Sequence, residues 1–251
     1  SESRMVLALL GLLLILRAGA VFASPLNLYA DEAQYWRWAQ DLAWGYYSKP
    51  PMIAWVIHGE TAAFGDSEAA VRIAAPFLHT VAAGFIYLAG RAMFTAKTGV
   101  YAALLYALMP AVTLSSSVLS TDGVLMPFWC AALWLAWRLR SGGGLATAAA
   151  LGLVLGCGIL AKYAMLYFLI GLGLAAALDK PMRAALISAR GGLTLILLAL
   201  VIAPHFAWNA ANDFQTVGHT VDNANLGGKL FNPENTVTYF ADQLALFAPN
   251  T

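Results

Sequence analysis

Charged residues are scarce in this 251-residue sequence: 11% of the residues are Asp, Glu, Lys or Arg, whereas 61% are hydrophobic. A soluble globular domain usually has about a quarter of its residues charged, so the composition argues against a soluble protein. The formal net charge of +1 provides no overall basic field, so no nucleic-acid partner is expected. Only two cysteines occur, Cys130 and Cys157, and both lie in long apolar runs. We therefore expect free thiols and neither a disulfide framework nor a zinc knuckle.

Motifs that bind nucleotides are also missing. The sequence contains no Walker-type phosphate loop and no Asp-x-Asp pair, with which soluble nucleotide-sugar enzymes often hold a metal diphosphate. Gly171-x-Gly173-x-x-Ala176 imitates a dinucleotide fingerprint, but it lies inside an apolar run with no strand before it. Helix packing explains this pattern better, so the sequence shows no machinery for a nucleotide-driven reaction.

Seven apolar segments are long enough, or nearly so, to cross a bilayer, which takes about 20 residues per helix. They cover residues 5–23, 70–94, 98–118, 123–139, 145–161, 163–178 and 191–208. We therefore predict an all-α, polytopic transmembrane helical protein. The first segment could be a signal peptide, but its apolar run continues to Ala23, which favours a retained span. The two short segments around Lys162 are expected to be tilted, or partly re-entrant, around a wet cavity. Gly152 and Gly156 form a small-xxx-small pair that predicts close helix packing.

The basic residues indicate how the spans are oriented. If the N-terminus is cytoplasmic, the inner ends and loops contain eight of the fourteen basic residues and only two acids, Glu2 and Asp179. These eight are Arg4, Arg91, Lys97, Arg138, Arg140, Lys180, Arg183 and Arg190. Such an asymmetry satisfies the positive-inside rule. The two large polar segments, 24–69 and 209–251, are then outer loops, where we expect the chemistry to take place.

The first outer loop is dense in polar and aromatic side chains. Residues 31–43 predict a short helix that is capped by Asp31 and ends near Gly45. Its aromatic density is typical of the membrane–water interface, so the helix is expected to lie flat there. Taken singly, Asp31 could be only a helix cap and Glu32 only a first-turn carboxylate.

The adjacent Ser48-Lys49-Pro50-Pro51 favours a functional interpretation of this loop. Two prolines restrict the backbone after Lys49, which holds its ammonium group in a defined direction near the headgroup level. A fixed cation beside paired carboxylates suits a site that takes both a phosphate-bearing lipid and a hydroxyl acceptor.

Asp31-Glu32 after a first span, followed by Lys49-Pro50-Pro51, resembles the membrane-embedded GT-C glycosyltransferases. The branch it resembles holds the protein O-mannosyltransferases and the aminoarabinose transferase of lipid A. The fuller strings Asp-Glu-Ala-Gln-Tyr-Trp and Gly-Tyr-Tyr-Ser-Lys-Pro-Pro are most similar to the bacterial lipopolysaccharide galacturonosyltransferases of that branch. Further matches are Ser120-Thr121-Asp122, Ala161-Lys162 and the segments 204–209, 212–213 and 218–220. The resemblance covers residues 1–251 as the N-terminal part of a GT-C transmembrane domain, so further spans and a C-terminal domain are expected beyond them.

The resemblance implies an enzyme that moves a sugar from a polyprenyl-phosphate carrier to a lipopolysaccharide, glycolipid or protein acceptor. It implies a multi-pass protein surrounded by the lipid of the bacterial inner membrane, with an active site that faces the periplasm. The roles it implies are Asp31 and Asp122 as catalytic residues, Lys49, Lys162, Arg37 and Arg72 as ligands of the donor phosphate, and Glu32, Tyr35 and Tyr47 as substrate contacts.

Such an enzyme must neutralise the phosphate as the glycosidic bond breaks and take a proton from the acceptor hydroxyl. Lys49 and Lys162 are the candidates for the first task. Asp31 is the candidate base, and such bases contribute about 10²–10⁴-fold. Two alternatives stay open. Lys162 could snorkel to the outer interface. Asp122 could orient Lys49 or the sugar, or simply cap the fourth span.

A bound metal is less clearly indicated. Gln34 and Ser48 stand where the aminoarabinose branch carries Arg and Glu, and that Glu contributes to a metal site there. A divalent metal is therefore an open possibility, with Glu32 and His219 as weak candidate ligands, and no other cofactor is predicted. His205 and His219 are otherwise interpreted as ordinary loop histidines.

Two other classes of function compete with a transferase. A transporter or flippase of a lipid-linked or polar solute would also place charges near broken helices. A structural or assembly subunit would not require Asp31, Lys49 and Lys162 together. The carboxylates and lysines cluster on one predicted side of the membrane instead of lining a path through the spans, which favours the transferase.

Overall fold

The computed structural model describes residues 2–224 and 233–247, and the regular structure of these residues is entirely helical. The helices are α1 Glu2–Ala23, α2 Ala30–Ala39, α3 Met52–Phe64, α4 Glu68–Arg72, α5 Ala74–Met93, α6 Ala96–Leu108, α7 Pro110–Ser115, α8 Thr121–Arg140, α9 Leu145–Ala161, α10 Met165–Leu178, α11 Lys180–Leu186, α12 Ala189–Ala211, α13 Gln215–Ala224 and α14 Pro233–Phe247. The all-α prediction is confirmed. The predicted outer loop 209–251 lies partly outside the described residues.

The described residues include three helices long and apolar enough to cross a bilayer: Arg4–Ala23, Glu68–Met93 and Ala189–Ala211. A fourth candidate is the pair Met165–Leu178 and Lys180–Leu186, whose axes are bent by 119°. The chain is therefore a multi-pass membrane protein. The count of seven spans stays a prediction, although each predicted segment coincides with a helix or a broken helix.

One predicted segment, 98–118, is interrupted. Met109 has an extended backbone, with φ −60° and ψ 132°, and separates α6 from α7. The cause is Pro110, which occupies the first turn of α7 and disfavours a helical conformation for the residue before it.

The longer helices pack side by side in the order α6, α5, α8, α9 and α12, and α1 contacts α5 and α6. The contact between α9 and α12 is close because Gly152 and Gly156 present no side chain there. A Cβ atom added at Gly156 would lie 2.6 Å from Cβ of Val201, and one at Gly152 would meet the carbonyl oxygen of Thr194. The prediction that this glycine pair serves helix packing is confirmed.

Helices α2 and α3 lie in the predicted first outer loop and are docked on the bundle. Ile53 and Ile57 of α3 are fully buried in the main hydrophobic core, and α3 contacts α5, α8 and α9. The loop is also tied internally, since the Trp36 indole donates to Asp66 at 2.6 Å and the Trp55 indole donates to the carbonyl of Ala43 at 3.0 Å. The outer helices thus have fixed positions over the ends of the longer helices.

The N-terminus of α2 corrects one prediction. The helix begins at Ala30 with Tyr29 as its N-cap and ends at Ala39, so Asp31 lies inside the first turn and is not the cap. The Glu32 carboxylate instead accepts a hydrogen bond from the backbone amide of Tyr29 at 3.0 Å. Because Asp31 is not needed to cap the helix, its exposed carboxylate is available for other contacts.

Candidate active site

Lys162 occupies the break between α9 and α10. It is the C-cap of α9 and has an extended backbone, with φ −162° and ψ 137°. Its Nζ atom lies 2.7 Å from each carboxylate oxygen of Asp122. The side chain of Asp122 is 68% exposed. Exposed ion pairs contribute only about 0–1 kcal/mol to stability. An incoming anion can therefore displace Asp122 from the ammonium group with little loss of free energy.

The structure bears on two of the roles that the sequence left open for Asp122. The cap of α8 is Ser120, whose hydroxyl accepts from the amide of Gly123 at 3.1 Å, so Asp122 does not cap this helix. The cation that Asp122 contacts is Lys162 and not Lys49. Asp122 therefore lies in the first turn of α8 with its carboxylate directed at the helix break.

A cavity of about 570 Å³ brings Lys49 and Lys162 together. Beside the two cations it is lined by Leu166, Tyr167 and Ile170 of α10, and Tyr167 and Ile170 are 69% and 60% exposed. The remaining lining residues are Ser48, Pro50, Tyr163, Ala164, His219, Thr220 and Asn223. The cavity thus has one cationic end and one apolar flank on the outer surface of the bundle, a combination that suits a phosphate attached to a hydrocarbon chain.

Residues 44–49 form a compact turn, called the Lys49 turn below. The amide of Tyr46 donates to the carbonyl of Lys49 at 3.2 Å, and α3 begins two prolines later. The Tyr46 hydroxyl is 3.1 Å from the carbonyl oxygens of Trp38 and Asp41, and its ring stacks on Trp38 at a centroid distance of 4.9 Å. This turn is therefore held by side-chain contacts as well as by the two prolines that follow it.

Asp31 and Tyr35 form the acidic part of the site. Tyr35 is buried, and it lines a second cavity of about 320 Å³ together with Asp31 and Ser120. Burial, the nearby charges of Asp31 and Asp122, and a hydrogen bond with Asp31 raise the pKa of Tyr35 to about 12. Tyr35 therefore stays protonated at neutral pH beside Asp31. The structure brings Asp31, Tyr35 and Asp122 into one neighbourhood next to Lys162.

Glu32 and Arg72 are placed differently from the predicted roles. They form a buried ion pair with an N–O distance of 2.7 Å, and only 1% and 3% of their side chains are exposed. Arg72 also donates to the carbonyls of Leu26 and Asn27, both at 2.8 Å, and Glu32 also accepts from the amide of Leu119 at 3.0 Å. These contacts join α2, α4 and the start of α8. In this geometry the polar atoms of both side chains are engaged with protein partners, which favours a structural role over the predicted phosphate contact of Arg72 and substrate contact of Glu32.

The other predicted residues lie at the edge of the site or outside it. Arg37 is exposed on α2 and is not among the residues that line the cavity of Lys49 and Lys162. Tyr47 is exposed, with its ring centroid 5.1 Å from that of His219. His219 lines the cavity, and its Nε2 atom lies 2.9 Å from the side-chain nitrogen of Asn223. The structure therefore places Tyr47 against His219 at the edge of the lysine cavity, and Arg37 is not part of its lining.

A metal does not fit the candidate ligands. Within residues 2–224 and 233–247, no three His, Cys, Asp or Glu side chains come close enough to hold an ion. Both oxygens of Glu32 already accept hydrogen bonds from Arg72, Tyr29 or Leu119. The Glu32 and His219 candidates are therefore not supported as a metal site, and no catalytic step is assigned to one.

The sequence interpretation missed the side chains that support the lysines. His205 was assigned to an outer loop, but it is buried inside α12, where it contacts Trp44 and Tyr163. Thr216 of α13 is buried against Tyr46. The available signal was the position of His205 within the apolar run 191–208, where an imidazole needs polar partners.

The fold and this site agree with a known class of protein, the membrane-embedded glycosyltransferases. The crystal structure of ArnT from Cupriavidus metallidurans in the apo state has the same fold, with a TM-score of 0.68 at 16% identity over 86% of this chain. Residues 48–208 match the family described as dolichyl-phosphate-mannose-protein mannosyltransferase. The lipid A galacturonosyltransferase RgtD of Rhizobium johnstonii is 35% identical over 225 residues, 89% of this chain.

The chain therefore belongs to the dolichyl-phosphate-mannose-protein mannosyltransferase family. This confirms the resemblance drawn from Asp31-Glu32 and Lys49-Pro50-Pro51. The chain spans about half the length of the relatives it matches, 47% of RgtD and 44% of ArnT.

Proposed function

We propose that this protein transfers a sugar from a polyprenyl-phosphate carrier to a glycolipid acceptor on the periplasmic side of a bacterial inner membrane. The observation that carries the proposal is the cavity that combines Lys49 and Lys162 with the exposed apolar flank of α10. A binding site for a soluble phosphate would need the two cations but no apolar surface beside them. The apolar flank is accounted for by the hydrocarbon chain of a lipid phosphate.

The charge change of the reaction explains why two lysines are needed. A polyprenyl-phosphate sugar is a phosphodiester with one negative charge, and it leaves as a phosphate monoester with two. The bond from the anomeric carbon to the phosphate oxygen breaks while the acceptor oxygen bonds to that carbon. Cations that are already positioned stabilise this added charge more than they stabilise the substrate. Lys162 becomes free for this task when its exposed contact with Asp122 opens.

Asp31 is the base that takes the proton of the acceptor hydroxyl. Its carboxylate is exposed and lines the same cavity as Tyr35, whose high pKa keeps the phenol protonated at neutral pH. Tyr35 is proposed to donate to this carboxylate and so to orient it. Asp122 is proposed to orient Lys162 and, after phosphate binds, to contact the sugar.

The relatives support the class of acceptor and of sugar. RgtD is named a lipid A galacturonosyltransferase, so lipid A is the acceptor that we propose and a hexuronic acid the sugar. The transporter that the sequence left open gains no support, because the matching proteins are named as transferases.

The proposal is tested by sugar transfer in proteoliposomes that contain the purified protein, a polyprenyl-phosphate-linked sugar and lipid A. Asp31→Asn should lower turnover by about 10²-fold or more and leave donor affinity little changed, because it removes the basic oxygen alone. Lys49→Ala should weaken donor binding by about tenfold or more, the loss of one charge-assisted contact to phosphate.

Two matched variants separate these effects from general damage. Asp41→Asn alters another exposed carboxylate of the same loop, and Lys180→Ala alters an exposed lysine of α11. Both should behave as the unmodified protein. Transfer from a soluble nucleotide sugar without any lipid carrier would refute the proposed donor. Loss of donor affinity with full turnover in Asp31→Asn would refute the proposed base.

The orientation is tested with an impermeant thiol reagent on single-cysteine variants that lack Cys130 and Cys157. A cysteine at exposed Gln40 should react from the periplasmic side, and one at exposed Ser141 only from the cytoplasmic side. Ser48 is a poorer probe because it is buried in the cavity wall. The opposite accessibility would refute the periplasmic active site.

A further inference from the structure

His205 connects the two segments that carry the lysines. It lies in α12 and is buried, with 4% of its surface exposed. One ring nitrogen, Nδ1, is 2.5 Å from the carbonyl oxygen of Trp44, at the start of the Lys49 turn. The other, Nε2, is 2.6 Å from the hydroxyl of Tyr163, the residue after Lys162. A single side chain thus contacts the first residue of the Lys49 turn and the residue that follows Lys162.

The bond to Trp44 defines which ring nitrogen carries a proton. A carbonyl oxygen only accepts, so Nδ1 carries the proton and donates it to Trp44. Nε2 of the neutral ring is then an acceptor, and the Tyr163 hydroxyl donates to it. Each polar atom of the ring has a partner of the required kind, so the imidazole is held at both ends.

Neighbouring contacts fix the same turn against α12 and α13. Gly45 lies so close to α12 that an added Cβ would meet the ring of Trp208, with Cζ3 at 2.7 Å, and would lie 3.1 Å from Nδ1 of His205. The hydroxyl of buried Thr216 donates to the carbonyl of Tyr46 at 2.5 Å. The Lys49 turn therefore packs against α12 and α13. His205 links this packing to the break at Lys162 through its contact with Tyr163.

We infer that His205 is a positioning residue that holds the Lys49 turn against the Lys162 break and so sets the spacing of the two lysines for a lipid phosphate. The inference rests on the proposed function for the identity of the ligand. In this inference His205 itself contacts neither the phosphate nor the sugar. Its effect on binding passes through Trp44 on one side and Tyr163 on the other.

The first test is hydrogen–deuterium exchange of peptides that cover residues 43–49 in the purified protein. His205→Phe keeps an aromatic ring and removes both bonds, so exchange there should become about tenfold faster, the factor that loss of one ordinary hydrogen bond gives. His205→Asn places an amide nitrogen where Nδ1 was and should restore most of the protection. His58→Phe is the matched control, because His58 makes a similar 2.9 Å contact to the carbonyl of Ala39 outside the Lys49 turn.

The second test measures binding of a polyprenyl phosphate in detergent. Lys49→Ala alone should weaken binding by about tenfold or more. In the His205→Phe background the same substitution should weaken it by less than about threefold, because the turn no longer holds Lys49 in place. A Tyr163→Phe background should reduce the effect of Lys162→Ala in the same way while leaving exchange of residues 43–49 unchanged.

The outcomes of these tests distinguish the positioning role of His205 from the proposed function. Unchanged exchange in His205→Phe, or strictly multiplicative effects of His205→Phe and Lys49→Ala on binding, would overturn the positioning role. Failure of the unmodified protein to bind any polyprenyl phosphate would refute the proposed function alone. The exchange measurement needs no ligand, so it would still decide whether His205 holds the turn.

Discussion

Arg72→Ala should lower the free energy of unfolding by about 3–5 kcal/mol, because it leaves the Glu32 carboxylate buried without the cation that neutralises it. In the folded protein the oxygens of Glu32 lie 2.7, 2.9 and 3.2 Å from the guanidinium nitrogens. Only 1% of the Glu32 side chain is exposed, so water cannot replace these contacts.

The remaining partners of Glu32 decide where in this range the loss falls. The carboxylate keeps two hydrogen bonds of 3.0 Å, from the amides of Tyr29 and Leu119. Hydrogen bonds to charged groups contribute about 1.5–3 kcal/mol each, so the value for Arg72→Ala should be nearer 3 than 5. Glu32→Ala should be nearer 5, because it leaves both amides and the guanidinium without their common partner.

Thermal unfolding in detergent, followed by tryptophan fluorescence, measures this loss. For a chain of this size each kcal/mol lowers Tm by about 2–4 °C, so Arg72→Ala should lower it by about 6–12 °C. Arg37→Ala is the control, since Arg37 is exposed on α2, and it should change Tm by less than about 2 °C. Replacing Glu32 and Arg72 together by leucine should recover part of the stability, because no charge is then left buried.

One combination of results would refute this reasoning. If Arg72→Ala keeps its Tm but loses affinity for a polyprenyl phosphate, Arg72 is a phosphate ligand, as the sequence predicted. The ion pair would then have to open when the donor binds. A loss of Tm with unchanged affinity of the remaining folded protein supports the structural role.

Three further predictions concern stability away from the candidate site. Burial raises the pKa of Glu60 to about 8 from the ordinary 4.5, so the folded protein keeps a proton that the unfolded chain releases, and stability falls as the pH rises from about 4.5 through 8. Glu60→Gln should remove this fall and raise stability at pH 9 by roughly 2 kcal/mol, with little change at pH 4, as Tm measured at both pH values would show. Gly156→Leu should lower the free energy of unfolding by about 3 kcal/mol or more, because a Cβ added there already lies 2.6 Å from Val201 of α12. Gly171→Leu is the control, since Gly171 faces open space, and it should leave Tm almost unchanged. Equal losses in the two variants would contradict the close packing of α9 on α12. Arg17→Met should lower Tm by several degrees, because Arg17 donates to the hydroxyl of Thr113 at 3.1 Å and to the carbonyl of Ala107 near the end of α6. An unchanged Tm would mean that the break between α6 and α7 does not need this cation.

The fold could be predicted from local features of the sequence. Apolar runs bounded by charge set the helices, and the Gly152 and Gly156 pair set the closest crossing between α9 and α12. The cations of the site could be predicted for a similar reason. Lys49 precedes two prolines and Lys162 interrupts an apolar stretch, so each is marked by its immediate neighbours. That these two residues share one cavity follows from the structure.

The supporting contacts could not be predicted because they join distant parts of the chain. Glu32 and Arg72 are 40 residues apart, and either could have faced a ligand as well as the other. His205 and Trp44 are 161 residues apart, and the contact depends on how α12 meets the first outer loop. A carboxylate, a guanidinium or an imidazole has the same local signature whether it binds substrate or closes a buried pair. Only the burial of its partners separates the two roles.

The break between α9 and α10 determines the surroundings of Lys162. Lys162 follows the last turn of α9, where backbone carbonyls carry partial negative charge that favours a cation. The break satisfies its own backbone, since the amide of Lys162 donates to Gly158 at 2.9 Å and its carbonyl accepts from Met165 at 3.1 Å. The end of α9, the start of α10 and the position of Lys162 therefore belong to one feature, the break between the two helices.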